Sequence, residues 1–298
     1  MDTEHPSPRY AAIDVWSPAD VLDALVEGQF AAVAAVRTAR HAIELAAADL
    51  HARLRDGGRL VYAGCGTSGR LAAQDAAELL PTFGWPAERA IVLIAGGTRA
   101  LLEAVEGAED DADDARRLVA EHGVGAPDAL IAVAASGTTP FTLACLEAAK
   151  ARGALAIAIA NNAHTPLLQA ADRAIFLDTG SEPIAGSTRI KAGTAQRIAL
   201  GALSSLAMIG LGRVHAGLMV DVQATNAKLA RRSEAILHQI TGRDGPELRQ
   251  ALDQAQGSVK LAALILHGLT AEDAAALLDR AGGHLRIALA QLANDRRS

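Results

Sequence analysis

Five short, unbroken apolar runs recur along the chain: Arg59–Ala63, Ala90–Ala95, Ala129–Ala135, Ala154–Ala160 and Arg173–Leu177. Each is bounded by Gly, Pro, Asn or Asp. Their hydrophobicity is continuous, not alternating, which is the pattern of strands covered on both faces. Helical stretches lie between them, near 68–80, 100–122, 140–152 and 165–171. Strand–helix alternation predicts a parallel sheet with helices on both sides. Ahead of the first strand, residues 18–55 read as helix, opened by Ser17-Pro18, with a break expected near Gly28. A long helical stretch, 188–212, follows the last strand. From Gly242 the pattern changes to four short helices near 246–256, 258–267, 271–281 and 283–293. There Thr270-Ala-Glu-Asp273 resembles a capping box.

Composition narrows the class. Half of the 298 residues are hydrophobic, 21% are charged and only eight are aromatic, which describes a globular protein with an Ala- and Leu-built core. The length allows one large domain and a smaller one. A net charge of −6 with no basic stripe argues against nucleic-acid binding. The longest charge-free apolar run, Ile198–Gly212, is too short to span a bilayer, which takes roughly 20 residues, and reads as a buried helix. The start, Met1-Asp2-Thr3-Glu4-His5, is polar and acidic, unlike a signal peptide. Cys65 and Cys145 have no metal-ligand spacing and read as reduced thiols.

Two loops carry candidate chemistry. Gly64-Cys65-Gly66-Thr67-Ser68-Gly69 follows the first strand and opens a helix. Taken literally it is a dinucleotide fingerprint, but the second strand ends Ile94-Ala95-Gly96-Gly97, without the acidic residue that would hold a ribose. A glycine turn at a helix N-terminus still presents free N–H groups and the positive end of a dipole, which suits a phosphate; a tight structural turn is the alternative. Ala135-Ser136-Gly137-Thr138-Thr139-Pro140 repeats the design after the third strand, with Thr139 as N-cap and Pro140 as the first helical residue. Loops after parallel strands gather at one sheet edge, where ligands bind.

Three further segments hold charged groups. Glu78 is alone in the apolar stretch Ala76–Ala87, where burial would raise its pKa for acid/base work; an exposed helix-end Glu is the alternative. The run Glu109-Asp110-Asp111-Ala112-Asp113-Asp114 reads mostly as a solvated face, with metal binding disfavoured because no His or Cys accompanies it. On one helix, Glu109 would share an apolar stripe with Leu102, Val105 and Ala112, while Asp110, Asp111 and Asp114 point away. Gly186-Ser187-Thr188-Arg189-Ile190-Lys191-Ala192-Gly193-Thr194 offers three hydroxyls and two cations for an anion or a carbonyl, against a capping role with a surface cation. Lys191 is one of only four lysines.

These strings resemble a known family. Gly58–Arg70, Ala104–Asp110, Ala134–Gly137, Gly186–Gln196 and Leu218–Asn226 are similar, in the same order, to the signatures of N-acetylmuramic acid 6-phosphate etherases. The resemblance implies a sugar isomerase (SIS) fold: a three-layer sandwich around a five-stranded parallel sheet, with N-terminal helices and a small C-terminal helical module. It divides the chain into an N-terminal helical segment 1–50, an SIS sugar-phosphate domain 51–214, a connecting helix 215–241 and a C-terminal module 242–298. It also implies a cytoplasmic homodimer with its site at or near the subunit interface, and neither nucleic acid nor membrane as partner. The family's two functional glutamates align with Glu78 and Glu109. The chain departs from the family at Cys65, where Ala is common, at Ala77-Glu78-Leu79-Leu80-Pro81, which replaces Ser-Glu-Cys-Pro-Pro, and at Thr138, where Arg is frequent.

The implied reaction cleaves the D-lactyl ether of N-acetylmuramic acid 6-phosphate, giving N-acetylglucosamine 6-phosphate and D-lactate. Glu78 is expected as proton donor and Glu109 as the second acid/base. Gly66, Thr67, Gly137 and Ser187 would bind substrate or its phosphate, Ser68, Ser136 and Thr138 would hold the 6-phosphate, and Arg189 and Lys191 would meet the substrate carboxylate or enolate. No metal or redox cofactor is required, because no electrons change hands. An aldose–ketose sugar-phosphate isomerase and a non-catalytic sugar-phosphate regulator are the alternatives. The glutamate pair favours an enzyme, and the whole-chain signatures favour the etherase.

Overall fold

The computed structural model describes residues 2–222 and 227–295. Two helices come first, α1 (Pro18–Thr38) and α2 (Arg40–Arg55). The alternating part follows: β1 (Leu60–Gly64), α3 (Gly66–Phe83), β2 (Ala90–Ile94), α4 (Ala112–Glu121), β3 (Ala129–Val133), α5 (Pro140–Ala151), β4 (Leu155–Ala160), α6 (Pro166–Ala170), β5 (Arg173–Phe176) and α7 (Lys191–Gly210). A short hairpin, β6 (Val214–His215) with β7 (Leu218–Met219), precedes α8 (Ala227–Thr241), α9 (Pro246–Gln254), α10 (Val259–Leu266), α11 (Ala271–Arg280) and α12 (Leu285–Asp295). By contacts the chain forms two compact units, Met1–Ala77 with Glu88–Ala207, and Glu78–Ala87 with Met208–Ser298.

The first unit holds the expected five-stranded sheet. Its order is β2-β1-β3-β4-β5 and every pairing is parallel. The central strands β1, β3 and β4 are buried at every residue, as continuous apolar runs require. One core layer packs Val61, Leu93, Leu130 and Ala156 against Val119, Phe141, Leu146 and Ala149 of the covering helices. Small alanines let backbones approach closely where aromatics are scarce. A buried polar knot ties two helices to the sheet: Tyr62 Oη donates to Asp75 Oδ2 of α3 (2.7 Å), and Ser204 Oγ of α7 donates to Asp75 Oδ1 (3.3 Å).

Two helix expectations are corrected. The break in 18–55 falls at Ala39, not Gly28. Gly28 is buried inside α1, where an added Cβ would stand 3.1 Å from Lys191 Cδ, so that glycine serves close packing. Residues 100–122 are not one helix. A 3-10 turn (Gly97–Leu101), a loop and a second 3-10 turn (Ala108–Asp110) precede α4. Gly107 has φ +73°, which breaks the helix, and Asp111 caps α4 by accepting the Asp114 N–H (2.8 Å). The apolar stripe proposed for Glu109 therefore does not exist, and Leu102 is 93% exposed.

The second unit is helical around its own core, with Leu237, Leu248, Val259, Leu264, Leu277 and Leu285 at its centre. Of the expected capping box the N-cap half is present: Thr270 Oγ1 accepts the Asp273 N–H at 3.1 Å, while the Asp273 carboxylate accepts the Thr270 hydroxyl (2.7 Å). Asp221, in the fifth family-like string, accepts from the buried Lys260 Nζ (2.7 Å). Gln223–Asn226 of that string lie outside the described residues. Trp85 is buried here, under the Arg213 guanidinium at 5.0 Å. Among the described residues no single helix is long and apolar enough to cross a membrane.

Candidate functional site

In a sheet ordered 2-1-3-4-5 the connections from β1 and β3 leave in opposite directions, and a crevice opens at their carboxyl ends. The two loops singled out from sequence are the ones that follow β1 and β3. A cavity of about 480 Å³ lies there. Gly66, Thr67, Ser68, Ser136 and Thr138 line it, as does Glu109 from the loop after β2. Thr139, Gly186, Thr188, Asp110 and Glu4 complete its polar wall.

Each loop reaches the cavity for a local reason. Gly66 (φ +52°) opens α3, and the first N–H groups of a helix have no intrahelical partner. Arg70 then anchors the loop after β2, donating from Nε to Ala100 O and from Nη2 to Glu103 O, both at 2.8 Å. Glu109 thus arrives on a braced loop. In the β3 turn, Gly137 (φ +69°) reverses the chain; its role is the turn and it is not among the lining residues. The Thr138 N–H donates to Ser136 Oγ (3.2 Å), and Ser136 Oγ meets Thr139 Oγ1 at 3.2 Å. Thr139 precedes α5 without making a side-chain cap bond, so its hydroxyl stays with the cavity.

Ser68 is more committed than its sequence suggested. Asn161 Nδ2 donates to Leu177 O (3.1 Å), which turns Asn161 Oδ1 toward Gln196 Nε2 (2.9 Å). Gln196 Oε1 then accepts the Ser68 hydroxyl (2.9 Å). All three side chains are buried. Ser68 therefore offers the cavity its backbone N–H, with its hydroxyl proton held by Gln196.

The segment before α7 is divided. Gly186 and Thr188 line the cavity, whereas Ser187, Arg189 and Lys191 are not among its lining residues. Lys191 is buried and its Nζ donates to Thr179 O (2.8 Å). Burial pushes its pKa below the usual lysine range, opposed by Glu182. Glu182, fully buried, accepts the Lys191 and Ala192 N–H groups at 3.0 and 2.9 Å and caps α7. The Lys191 ammonium is thus held by a buried carbonyl, away from the lining of the cavity.

Glu78 is on an exposed position of α3, so the expected burial of its carboxyl is not found in the single chain. Asp110 was expected to point away and instead lines the cavity, since a 3-10 turn sets its direction. Among the described lining residues none is Lys or Arg; the charged ones are Glu4, Glu109 and Asp110. A bound anion would rest on hydroxyls, N–H groups and helix N-termini. Cys65 also lines the cavity; burial pushes its thiol up to about 11, so it stays protonated at neutral pH. Among the described residues no group of three or more His, Cys, Asp or Glu is arranged to hold a metal ion.

Comparison with known proteins decides the family. The chain is 50% identical over 290 residues to an N-acetylmuramic acid 6-phosphate etherase of Deinococcus radiodurans, covering 97% of this chain and 95% of that one. The chain belongs to the N-acetylmuramic acid 6-phosphate etherase family. An etherase of Streptomyces avermitilis is 44% identical over 97% of this chain and 94% of its own length. Residues 42–150 match the glucokinase regulatory protein N-terminal SIS domain. The fold is also that of a phosphoheptose isomerase from Francisella tularensis, at TM-score 0.50 and 21% identity, covering 64% of this chain and 98% of that one. In this etherase family member, sequence alone pointed to the two turns and Glu109. It missed Glu4, Gln196, Asn161 and Glu182, none of which lies in a glycine-rich turn or an acidic run.

Proposed function

We propose that this chain is a carbon–oxygen lyase of the cytoplasm that cleaves the D-lactyl ether of N-acetylmuramic acid 6-phosphate, releasing D-lactate and N-acetylglucosamine 6-phosphate in the recycling of peptidoglycan sugar. One observation carries this: Glu109 stands in the same cavity as two helix-opening, hydroxyl-bearing turns, in a chain half identical to a protein named for that reaction.

With the sugar ring open, C1 is an aldehyde and the C2 hydrogen is acidic. A carboxylate removes that proton, and the electron pair forms an enolate. The enolate collapses to a C2–C3 double bond and expels lactate from C3, its oxygen protonated by an acid. Water then adds at C3 and C2 is reprotonated. Glu109 takes one proton role and Glu78 the other. The N–H groups of Gly66, Thr67 and Ser68 and the hydroxyls of Ser136, Thr138 and Thr139 hold the 6-phosphate. The assay is D-lactate release from the phosphorylated sugar, with unphosphorylated N-acetylmuramic acid as control. Ser136→Ala is expected to weaken substrate binding by roughly 1–3 kcal/mol, as loss of a hydrogen bond to a charged group does. Equal turnover of the unphosphorylated sugar would remove the phosphate from the account.

The active form is a homodimer. Leu22, Val26, Phe30 and Val33 form a stripe along α1 at steps of four, four and three, each more than half exposed, and Phe30 is 71% exposed. The opposite face of α1 buries Ala24, Gly28, Ala32 and Ala35. A second copy covering the stripe would account for a helix apolar on both sides, and the exposed Glu78 fits a site completed by that copy. Phe30→Asp is expected to shift the sedimenting species from dimer to monomer; a dimer retained in that variant would place the interface elsewhere.

A further inference from the structure

The N-terminal turn is fastened into the site. Thr3 is fully buried; its N–H donates to Asn162 Oδ1 (3.3 Å), and its Oγ1 accepts from Asn162 Nδ2 (2.9 Å). Its carbonyl accepts the Gly186 N–H at 3.1 Å. Asn162 also donates to Ala135 O (2.8 Å), the start of the Ser136 turn. One residue beyond this clasp, the Glu4 side chain enters the cavity wall. An added Cβ at Gly186 (φ +76°) would stand 2.9 Å from Glu4 Oε2, so the absence of a side chain there makes room for the carboxylate.

A carboxylate in this cavity has a defined chemical use. Ionised, it only accepts hydrogen bonds, whereas a phosphate dianion offers none to accept. Glu4 therefore cannot share in holding the phosphate, and like charge opposes the two lying together. The hydrogen-bond donors of an amino-sugar phosphate are its hydroxyls and its acetamido N–H. We propose that Glu4 is a substrate-binding residue whose carboxylate accepts a hydrogen bond from a sugar hydroxyl or the acetamido N–H, selecting an amino-sugar phosphate over a bare phosphate. This rests on the sugar-phosphate reading of the cavity given above and adds to it the group that reads the sugar.

The test is calorimetric titration of the full chain, as wild type, Glu4→Gln and Glu4→Ala, with N-acetylglucosamine 6-phosphate and, separately, with inorganic phosphate. Glu4→Ala is expected to weaken the sugar phosphate at least about tenfold, the scale of a charge-assisted hydrogen bond. Glu4→Gln, which keeps the shape and a neutral acceptor, should lose less. Inorganic phosphate should bind both variants no more weakly than wild type. An unchanged or tightened affinity for the sugar phosphate would overturn the proposal. So would an equal loss for both ligands, which would make Glu4 a piece of wall, and so would a wild type that does not bind the sugar phosphate. D-lactate release by the wild type is measured apart, so failure of the lyase reaction and failure of the Glu4 contact are told apart.

Discussion

Glu109→Gln is expected to lower kcat for D-lactate release by about 10²–10⁴, with the fold intact. The Gln side chain keeps the length and hydrogen-bonding shape of Glu and removes only the titrating group, and positioned acid/base groups typically contribute that factor. Glu109 lines the cavity from a loop braced by Arg70, and among the described residues its side chain makes no hydrogen bond or ion pair, so its loss leaves nothing stranded. Thermal unfolding should therefore match wild type within error. Glu78→Gln should show a loss of the same order, again without destabilisation, since Glu78 is exposed on α3. In D₂O the wild-type product should carry deuterium at C2, because a group exchanging with solvent reprotonates the enolate. An isomerase also exchanges that hydrogen, so lactate must be measured in the same sample. Full activity in both Gln variants, or product without deuterium at C2, would defeat elimination followed by hydration.

The largest effect on stability is expected at a residue outside the chemistry. Glu182 is fully buried and its two carboxylate oxygens accept the Lys191 and Ala192 N–H groups that open α7. Glu182→Ala would leave both donors buried and unpaired, at about 1–3 kcal/mol each, partly relieved if water enters. It would also remove the negative charge that opposes the burial-driven fall of the Lys191 pKa. The sum expected is a loss of about 3 kcal/mol, read as a lower denaturant midpoint. Glu182→Gln keeps one acceptor oxygen and should cost less than Glu182→Ala. A Glu182→Ala variant within 0.5 kcal/mol of wild type, the scale of an ordinary surface change, would show that solvent replaces the cap without penalty.

What the chain encodes locally was legible without coordinates. The apolar runs of β1, β3 and β4 are continuous because both faces are covered, and that pattern is written in consecutive residues. The turn after β1 and Thr139-Pro140 before α5 could be read for the same reason, since a helix start depends on a few neighbouring side chains. Where a glycine with positive φ interrupts a helical pattern, periodicity misleads: Gly107 splits residues 100–122 and turns both Glu109 and Asp110 toward the cavity. A residue such as Gly28 looks like a helix break in sequence and is instead a contact, which only the approach of Lys191 reveals.

The rest depends on groups far apart in the chain. By itself the sequence determined the strand–helix alternation, the two glycine- and hydroxyl-bearing turns and, through its strings, the family. Tertiary structure alone decided that Ser68 spends its hydroxyl proton on Gln196, that Lys191 turns to a carbonyl, that Glu182 caps α7 and that Thr3 clasps Asn162 to bring Glu4 into the cavity. The physical reason is that a buried polar group must find a partner, and which partner depends on what the packed fold brings within about 3 Å.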